Sequence, residues 1–171
     1  YKRQIPYKED AEGTIVNDEY FGKIPADRLT KEEGIIYFKI DGKYRSKLGL
    51  PASRATSLCG SYDSSKGVLT ILWCSLPETP SAYVNGQWGP QEDPFAGDVI
   101  NSYNDGPVED GSIMGPFYEI ETSSPGAELV PGASLVHTQK VIHIQGEDGQ
   151  LAPIVQKLFG ADLNVIKTKF Q

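Results

Sequence analysis

Residues 115–146 read G-P-F-Y-E-I-E-T-S-S-P-G-A-E-L-V-P-G-A-S-L-V-H-T-Q-K-V-I-H-I-Q-G. Runs of β-formers on either side of Pro125 and Pro131-Gly132 predict a short strand over 117–122, a turn, and a longer strand over 135–144. Alternate side chains of a strand share a face. Phe117, Glu119 and Glu121 therefore point one way, and Tyr118, Ile120 and Thr122 the other. In the longer strand His137, Gln139, Val141, His143 and Gln145 share one face. Val136, Thr138, Lys140, Ile142 and Ile144 share the other, which is more apolar. Carboxylates two residues apart in a strand have Cα atoms about 7 Å apart. At that spacing they grip a cation, divide a hydroxyl network or perturb each other's pKa. Two readings of the polar faces stand: a solvated surface, or the lining of a polar pocket, because burying such groups dry is costly.

Outward from this stretch the chain is still mostly β. Residues 34–48 read G-I-I-Y-F-K-I-D-G-K-Y-R-S-K-L, which predicts strands over 35–40 and 44–48 joined as a hairpin by Asp41-Gly42. A second hairpin is predicted from 56–62 and 68–76 around residues 63–67; V-L-T-I-L-W at 68–73 suits a central strand. Residues 81–88 and 98–103 give weaker strand patterns, with a loop at 89–94 between them. The opening residues 1–10 read as an arm or a truncated strand. Near the end, Leu151, Ile154, Val155 and Leu158 have helical spacing. Asp148 suits the N-cap, Pro153 the first turn and Gly160 the stop. Cys59 and Cys74 fall diagonally across the second hairpin, which leaves two readings, a strained disulfide or two buried thiols. Their spacing does not resemble a zinc site.

The 171 residues suffice for one domain with a real core. The 39% hydrophobic content and mean hydropathy of −0.36 are ordinary for a globular protein. No apolar run approaches the ~20 residues of a membrane helix. Tyr1 is neither an initiator Met nor the start of a signal-peptide pattern, so the chain reads as processed or as a fragment. The net charge of −7 is uneven: residues 1–50 carry ten Lys/Arg against nine Asp/Glu, and residues 51–150 three against thirteen. An acidic middle argues against a nucleic-acid footprint, which needs a basic face. It is either a solvated acidic surface or a site for a cation or a sugar.

Few other residues suggest chemistry. Asn101, Tyr103 and Asn104 belong to a run, N-S-Y-N-D-G, that is dense in hydrogen-bonding groups and equally typical of a turn. Arg45 lies between Lys43 and Lys47 on one strand face, either exposed or ready to meet an acidic substrate. Trp88 either stacks on a sugar ring or is a rim aromatic.

The run Y-E-I-E-T-S-S-P followed by L-V-P-G-A-S-L-V-H-T resembles the C-terminal signature of the galactose mutarotase (aldose 1-epimerase) superfamily. In that superfamily a strand bearing L-E-T precedes a Pro-containing loop, L-x-P-G-E and a strand with a Thr. Glu121 matches the family's glutamate, and the resemblance implies a general base acting on the anomeric hydroxyl. Ala133 stands where that family has an acidic residue. Nearly the whole chain resembles an uncharacterised bacterial family of the same fold. The residues that carry this are F-G-K-I-P-A-D-R-L at 21–29, D-G-K-Y-R-S-K-L-G at 41–49, A-G-D-V-I-N-S-Y-N-D-G at 96–106 and G-P-F-Y-E-I-E-T-S-S-P at 115–125. Mutarotases draw their acid histidine and a substrate-binding arginine from far upstream of the glutamate, and this chain has no histidine before Glu121. It reads as the C-terminal part of a longer supersandwich or as a member without that acid.

The expectation is therefore an all-β, mutarotase-like supersandwich, in one domain over 1–171, with a short C-terminal helix. The leading function is carbohydrate recognition with sugar chemistry centred on Glu121 and Glu119. Asn101, Tyr103, Asn104, Trp88, Arg45 and His137 are the substrate-binding candidates. A non-catalytic accessory domain is the second reading. The third is a metal-assisted lyase or hydrolase using Glu119, Glu121 and His137. The partner expected is a carbohydrate, not nucleic acid or membrane, with no cofactor and an extracytoplasmic location.

Overall fold

The computed structural model describes residues 1–79 and 81–171. Nine strands and two helices follow one another as β1 (Lys2–Pro6), β2 (Leu29–Glu32), β3 (Ile35–Lys39), β4 (Ser46–Pro51), β5 (Leu58–Asp63), β6 (Val68–Cys74), β7 (Asp98–Asn104), β8 (Tyr118–Thr122), β9 (Gln139–Gln145), α1 (Asp148–Phe159) and α2 (Leu163–Thr168). The strands form a six-stranded sheet, in the order β2-β3-β1-β5-β6-β9, and a three-stranded sheet, β4-β7-β8. All the pairings are antiparallel. The protein is thus an all-β sandwich with helices confined to its C-terminus.

Strand alternation assigns the layers. In β3, Ile36 and Phe38 join Ile5, Leu72, Leu48, Leu50 and Ile100 in a core between the two sheets. Their neighbours Ile35 and Tyr37 turn the other way and pack, with Tyr62, Leu69 and Ile71, against Leu151, Val155 and Phe159 of α1 and Leu163 and Ile166 of α2. Burial of this kind contributes about 25 cal/mol per Å² of apolar surface. Gly60 of β5 lies directly under Phe159, where a Cβ would come within 2.6 Å of the ring.

The hairpin of β5 and β6 forms as expected, with Asp63 opposite Val68. Cys59 and Cys74 are free and buried, and burial pushes the Cys59 thiol up to about 12. The opening residues make a central strand: β1 pairs with both β3 and β5.

Several local expectations are corrected. Asp41-Gly42 does not close a hairpin: β3 pairs with β1 and β2, whereas β4 joins the other sheet beside β7. The turn is a crossover between layers, tied down by the Arg28–Asp41 ion pair and by the Gly42 amide donating to Asn104 Oδ1 at 3.0 Å. Residues 81–88 contribute one bridge, Tyr83 to Ala96, and no strand. The N-cap of α1 is Glu147, whose amide donates to Gln150 Oε1 at 3.0 Å. Asp148 has left that role because its carboxylate accepts the Tyr62 hydroxyl at 2.7 Å and pairs with Lys167. Pro153 lies inside the helix rather than in its first turn. Finally, β9 is an edge strand, and Val141 on one face and Ile142 on the other are both exposed.

Candidate functional site

The inner face of the three-stranded sheet is spent on the core, and loops cover part of its outer face, burying Val99, Asn101 and Tyr103 of β7. The register places Lys47, Tyr103 and Glu119 side by side in one row across β4, β7 and β8, and Gly49, Asn101 and Glu121 in the next but one. Arg45 and Phe117 extend the same face at one end. Loops bring Tyr20, Phe21 and Trp88 over it. Together Tyr20, Phe21, Arg45, Lys47, Trp88, Tyr103, Met114, Phe117 and Glu119 line a cleft of about 240 Å³. That is a little under the ~300 Å³ at which drug-sized pockets begin, and suits one small polar ring.

The aromatic groups are interlocked. Tyr103 sits edge-on to Phe21, ring centroids 5.9 Å apart, and 5.6 Å from Phe117. Its hydroxyl donates to Asp105 Oδ1 at 2.7 Å and accepts from Arg45 Nε at 3.3 Å. Arg45 lies over Phe21, Cζ 4.1 Å from the ring centroid, and Lys47 Nζ is 5.0 Å from that of Tyr20. Trp88 stands almost fully exposed at the mouth.

The carboxylates differ in state. Glu119 lines the cleft and remains exposed; its partial desolvation there, together with the Glu121 carboxylate beside it, raises its pKa against the pull of Lys47. Asp98, at the start of β7, is buried, with its carboxylate folded over Gly49, where a Cβ would lie 1.9 Å from Oδ2. It accepts the Tyr20 hydroxyl at 2.6 Å and the Asn17 side-chain amide at 3.5 Å. Burial raises the Asp98 pKa although those hydrogen bonds and Lys47 oppose the shift.

Beneath Glu119 lies Arg3 of β1, fully buried between the sheets. Its Nε donates to Ser102 Oγ at 3.0 Å and its Nη2 to the Glu119 carbonyl at 2.9 Å. Ser102 Oγ donates to that same carbonyl at 3.1 Å. The backbone that carries Glu119 is therefore held from behind by a cation and a hydroxyl.

The structure gathers Glu119, Tyr103, Trp88 and Arg45 around one cleft, with Glu121 and Asn101 beside it on the same sheet face. Two candidates are corrected. Asn104 points inward and is fully buried; its amide donates to the Tyr44 carbonyl at 2.8 Å and secures the crossover turn. His137 meets Thr122 Oγ1 at 3.1 Å, and Thr122 has the opposite parity from Glu119 and Glu121. The trio of Glu119, Glu121 and His137 is therefore not assembled. Among the described residues no group of three His, Cys, Asp or Glu side chains is placed to hold a metal ion. Sequence reasoning missed Lys47, Tyr20, Phe21 and Asp98 as site residues. Asp98 had a signal, since it opens the strand pattern at 98–103. Arg3 had none, being one cation in a polar N-terminus.

The fold and the cleft define an all-β protein with an aromatic-rimmed, carboxylate-bearing cleft on the outer face of its smaller sheet. The chain belongs to a family of unknown function, DUF6786, which matches residues 4–170. No curated protein and no solved structure matches it. No helix among the described residues is long and apolar enough to cross a membrane.

Proposed function

We propose that this protein recognises a carbohydrate on the outer face of the three-stranded sheet and interconverts its anomers in the manner of an aldose 1-epimerase. The observation that carries the reading is the pair Glu119 and Glu121, one in the cleft and one beside it, under the aromatic wall of Trp88 and Phe117. Aromatic faces suit the C–H faces of a sugar ring, and carboxylates suit its hydroxyls. The resemblance of Y-E-I-E-T-S-S-P to the mutarotase signature supports the same conclusion.

Ring opening needs a base for the anomeric hydroxyl and an acid for the ring oxygen. Glu121 takes the hydroxyl proton. Glu119, whose raised pKa keeps its proton to higher pH, gives it to the ring oxygen as the C1–O5 bond breaks. Rotation about C1–C2 and the reverse transfers close the other anomer, so both protons return.

The test is the rate of anomer interconversion, followed by polarimetry over a panel of aldoses. Glu121→Gln and Glu119→Gln each keep the shape and remove the proton transfer, and each should lower the rate by about 10²–10⁴-fold, the usual contribution of general acid–base catalysis. Wild-type activity should fall on the alkaline side as Glu119 loses its proton. Full activity in Glu121→Gln rules the mechanism out. Failure of every sugar to bind rules out the recognition as well.

A further inference from the structure

Arg45 and Lys47 face the cleft, and the carboxylates that feel their charge, Asp105 for Arg45 and Glu119 and Asp98 for Lys47, do not close into ion pairs with them. Neither forms a salt bridge among the described residues. Arg45 uses only Nε, on the Tyr103 hydroxyl. Asp105, the nearest acid along that chain of bonds, is already engaged by that hydroxyl and by the Gly115 amide at 2.9 Å. Lys47 shares a row with Glu119, yet Tyr103 lies between them. Residues two strands apart are separated by about 9.5 Å, and the two do not pair.

These are not freely solvated cations. Lys43, two residues before Arg45, is exposed, whereas Arg45 and Lys47 are both half-buried. Each lies over an aromatic ring from the loop that follows Asn17. Stacking holds the guanidinium in place, so little rotamer freedom remains to be lost on binding. The planar fork matches a carboxylate or a phosphate with two parallel hydrogen bonds. One side of the cleft is therefore cationic, along β4. The opposite side, along β8, is acidic and suits hydroxyls. Tyr103 floors the space between them.

We propose that the ligand of this cleft is an anionic sugar, a ring carrying a carboxylate or a phosphate, whose charged group docks on Arg45 and Lys47. This rests on the carbohydrate reading above and adds the class of sugar. In a protein of net charge −7, a general attraction for anions cannot supply the preference. It has to come from these two side chains.

Titration calorimetry on the whole chain tests it, with galacturonate, glucuronate and glucose 6-phosphate set against galactose, glucose and inorganic phosphate. At least one charged sugar should bind about tenfold more tightly than its neutral counterpart, since a hydrogen bond to a charged group contributes about 1.5–3 kcal/mol and 1.4 kcal/mol is tenfold. Tighter binding of the uronates identifies a carboxylate; tighter binding of glucose 6-phosphate identifies a phosphate. In Arg45→Gln/Lys47→Met the ratio of charged-sugar to neutral-sugar affinity should fall to about one, whatever happens to the neutral sugar's own affinity. Arg45→Lys, which retains charge and fold, should lose part of it because the fork is gone. Equal binding of charged and neutral sugars overturns the proposal and leaves carbohydrate recognition standing. Survival of the advantage in the double variant also overturns it, as does inorganic phosphate binding as tightly as the sugar phosphate. If no sugar binds, the carbohydrate reading falls with it.

Discussion

Asp98 shows what the site costs at the scale of one residue. A buried carboxylate is disfavoured in its charged form, and the Tyr20 and Asn17 hydrogen bonds offset that only in part. Its folded pKa lies above its unfolded one. Its contribution to stability is therefore fully present below the ordinary Asp range and is lost as pH rises through the folded value. Asp98→Asn keeps an acceptor for Tyr20 and removes the charge. It should raise Tm at pH 7 by about 2–4 °C, the shift expected for ~1 kcal/mol in a chain of this length, with no gain at pH 3.5. Thermal unfolding at the two pH values checks this; an equal shift at both, or a loss at pH 7, contradicts it. Asp105 runs the other way. Burial pushes its carboxyl up, but hydrogen bonds from Tyr103, Gly115 and Gly106, with the Arg45 charge, bring it below the usual range. Its stabilisation is present at neutral pH and lost on acidification.

Individual elements separate stability from binding. Gly49 of β4 leaves the space that the Asp98 carboxylate fills. Gly49→Ala should cost about 1–3 kcal/mol, as overpacking does, and should also weaken ligand binding, because Asp98 and Tyr20 must move. Phe159 of α1 packs on the far side of the six-stranded sheet. Phe159→Ala should cost about 3–5 kcal/mol, in the range of buried aromatic truncations, and leave ligand affinity unchanged. Urea unfolding paired with titration calorimetry separates the two effects; unchanged affinity in Gly49→Ala would count against the site. The elements that sequence revealed are those with local signals. The β5–β6 hairpin has its turn residues, β8 its alternation, and α1 its spacing and Gly160 stop. The Asp41-Gly42 turn misled because its pattern fits a hairpin, while the partner of each flanking strand is chosen by distant residues: β1 and β2 for β3, and β7 for β4. For the site, strand parity correctly put Glu119 and Glu121 on one face. It had no means of relating either to His137, which sits across another turn and bonds Thr122 instead. Nor did it reveal that a loop from the first twenty-odd residues would lay Tyr20 and Phe21 over β4.

Across the whole molecule, one arrangement links fold to site. The larger sheet is covered on one face by helices and on the other by the smaller sheet, and the cleft lies on the outer face of the smaller sheet. Arg3 connects the layers, reaching from β1 to the backbone of Glu119 and forming no salt bridge among the described residues. Its Nη1 has no hydrogen-bond partner among the described residues. Buried charge of this kind is a weak source of stability; what it fixes here is the position of the acid-bearing strand. The ligand proposed for this protein sits on that outer face. The most direct measurement is a two-dimensional amide NMR titration of the 171-residue chain with galacturonate. Shifts should concentrate at residues 45–49, 101–105 and 117–121, with smaller ones at Tyr20, Phe21 and Trp88. Shifts confined to β9 and the segment holding His137, or to α1, would contradict it.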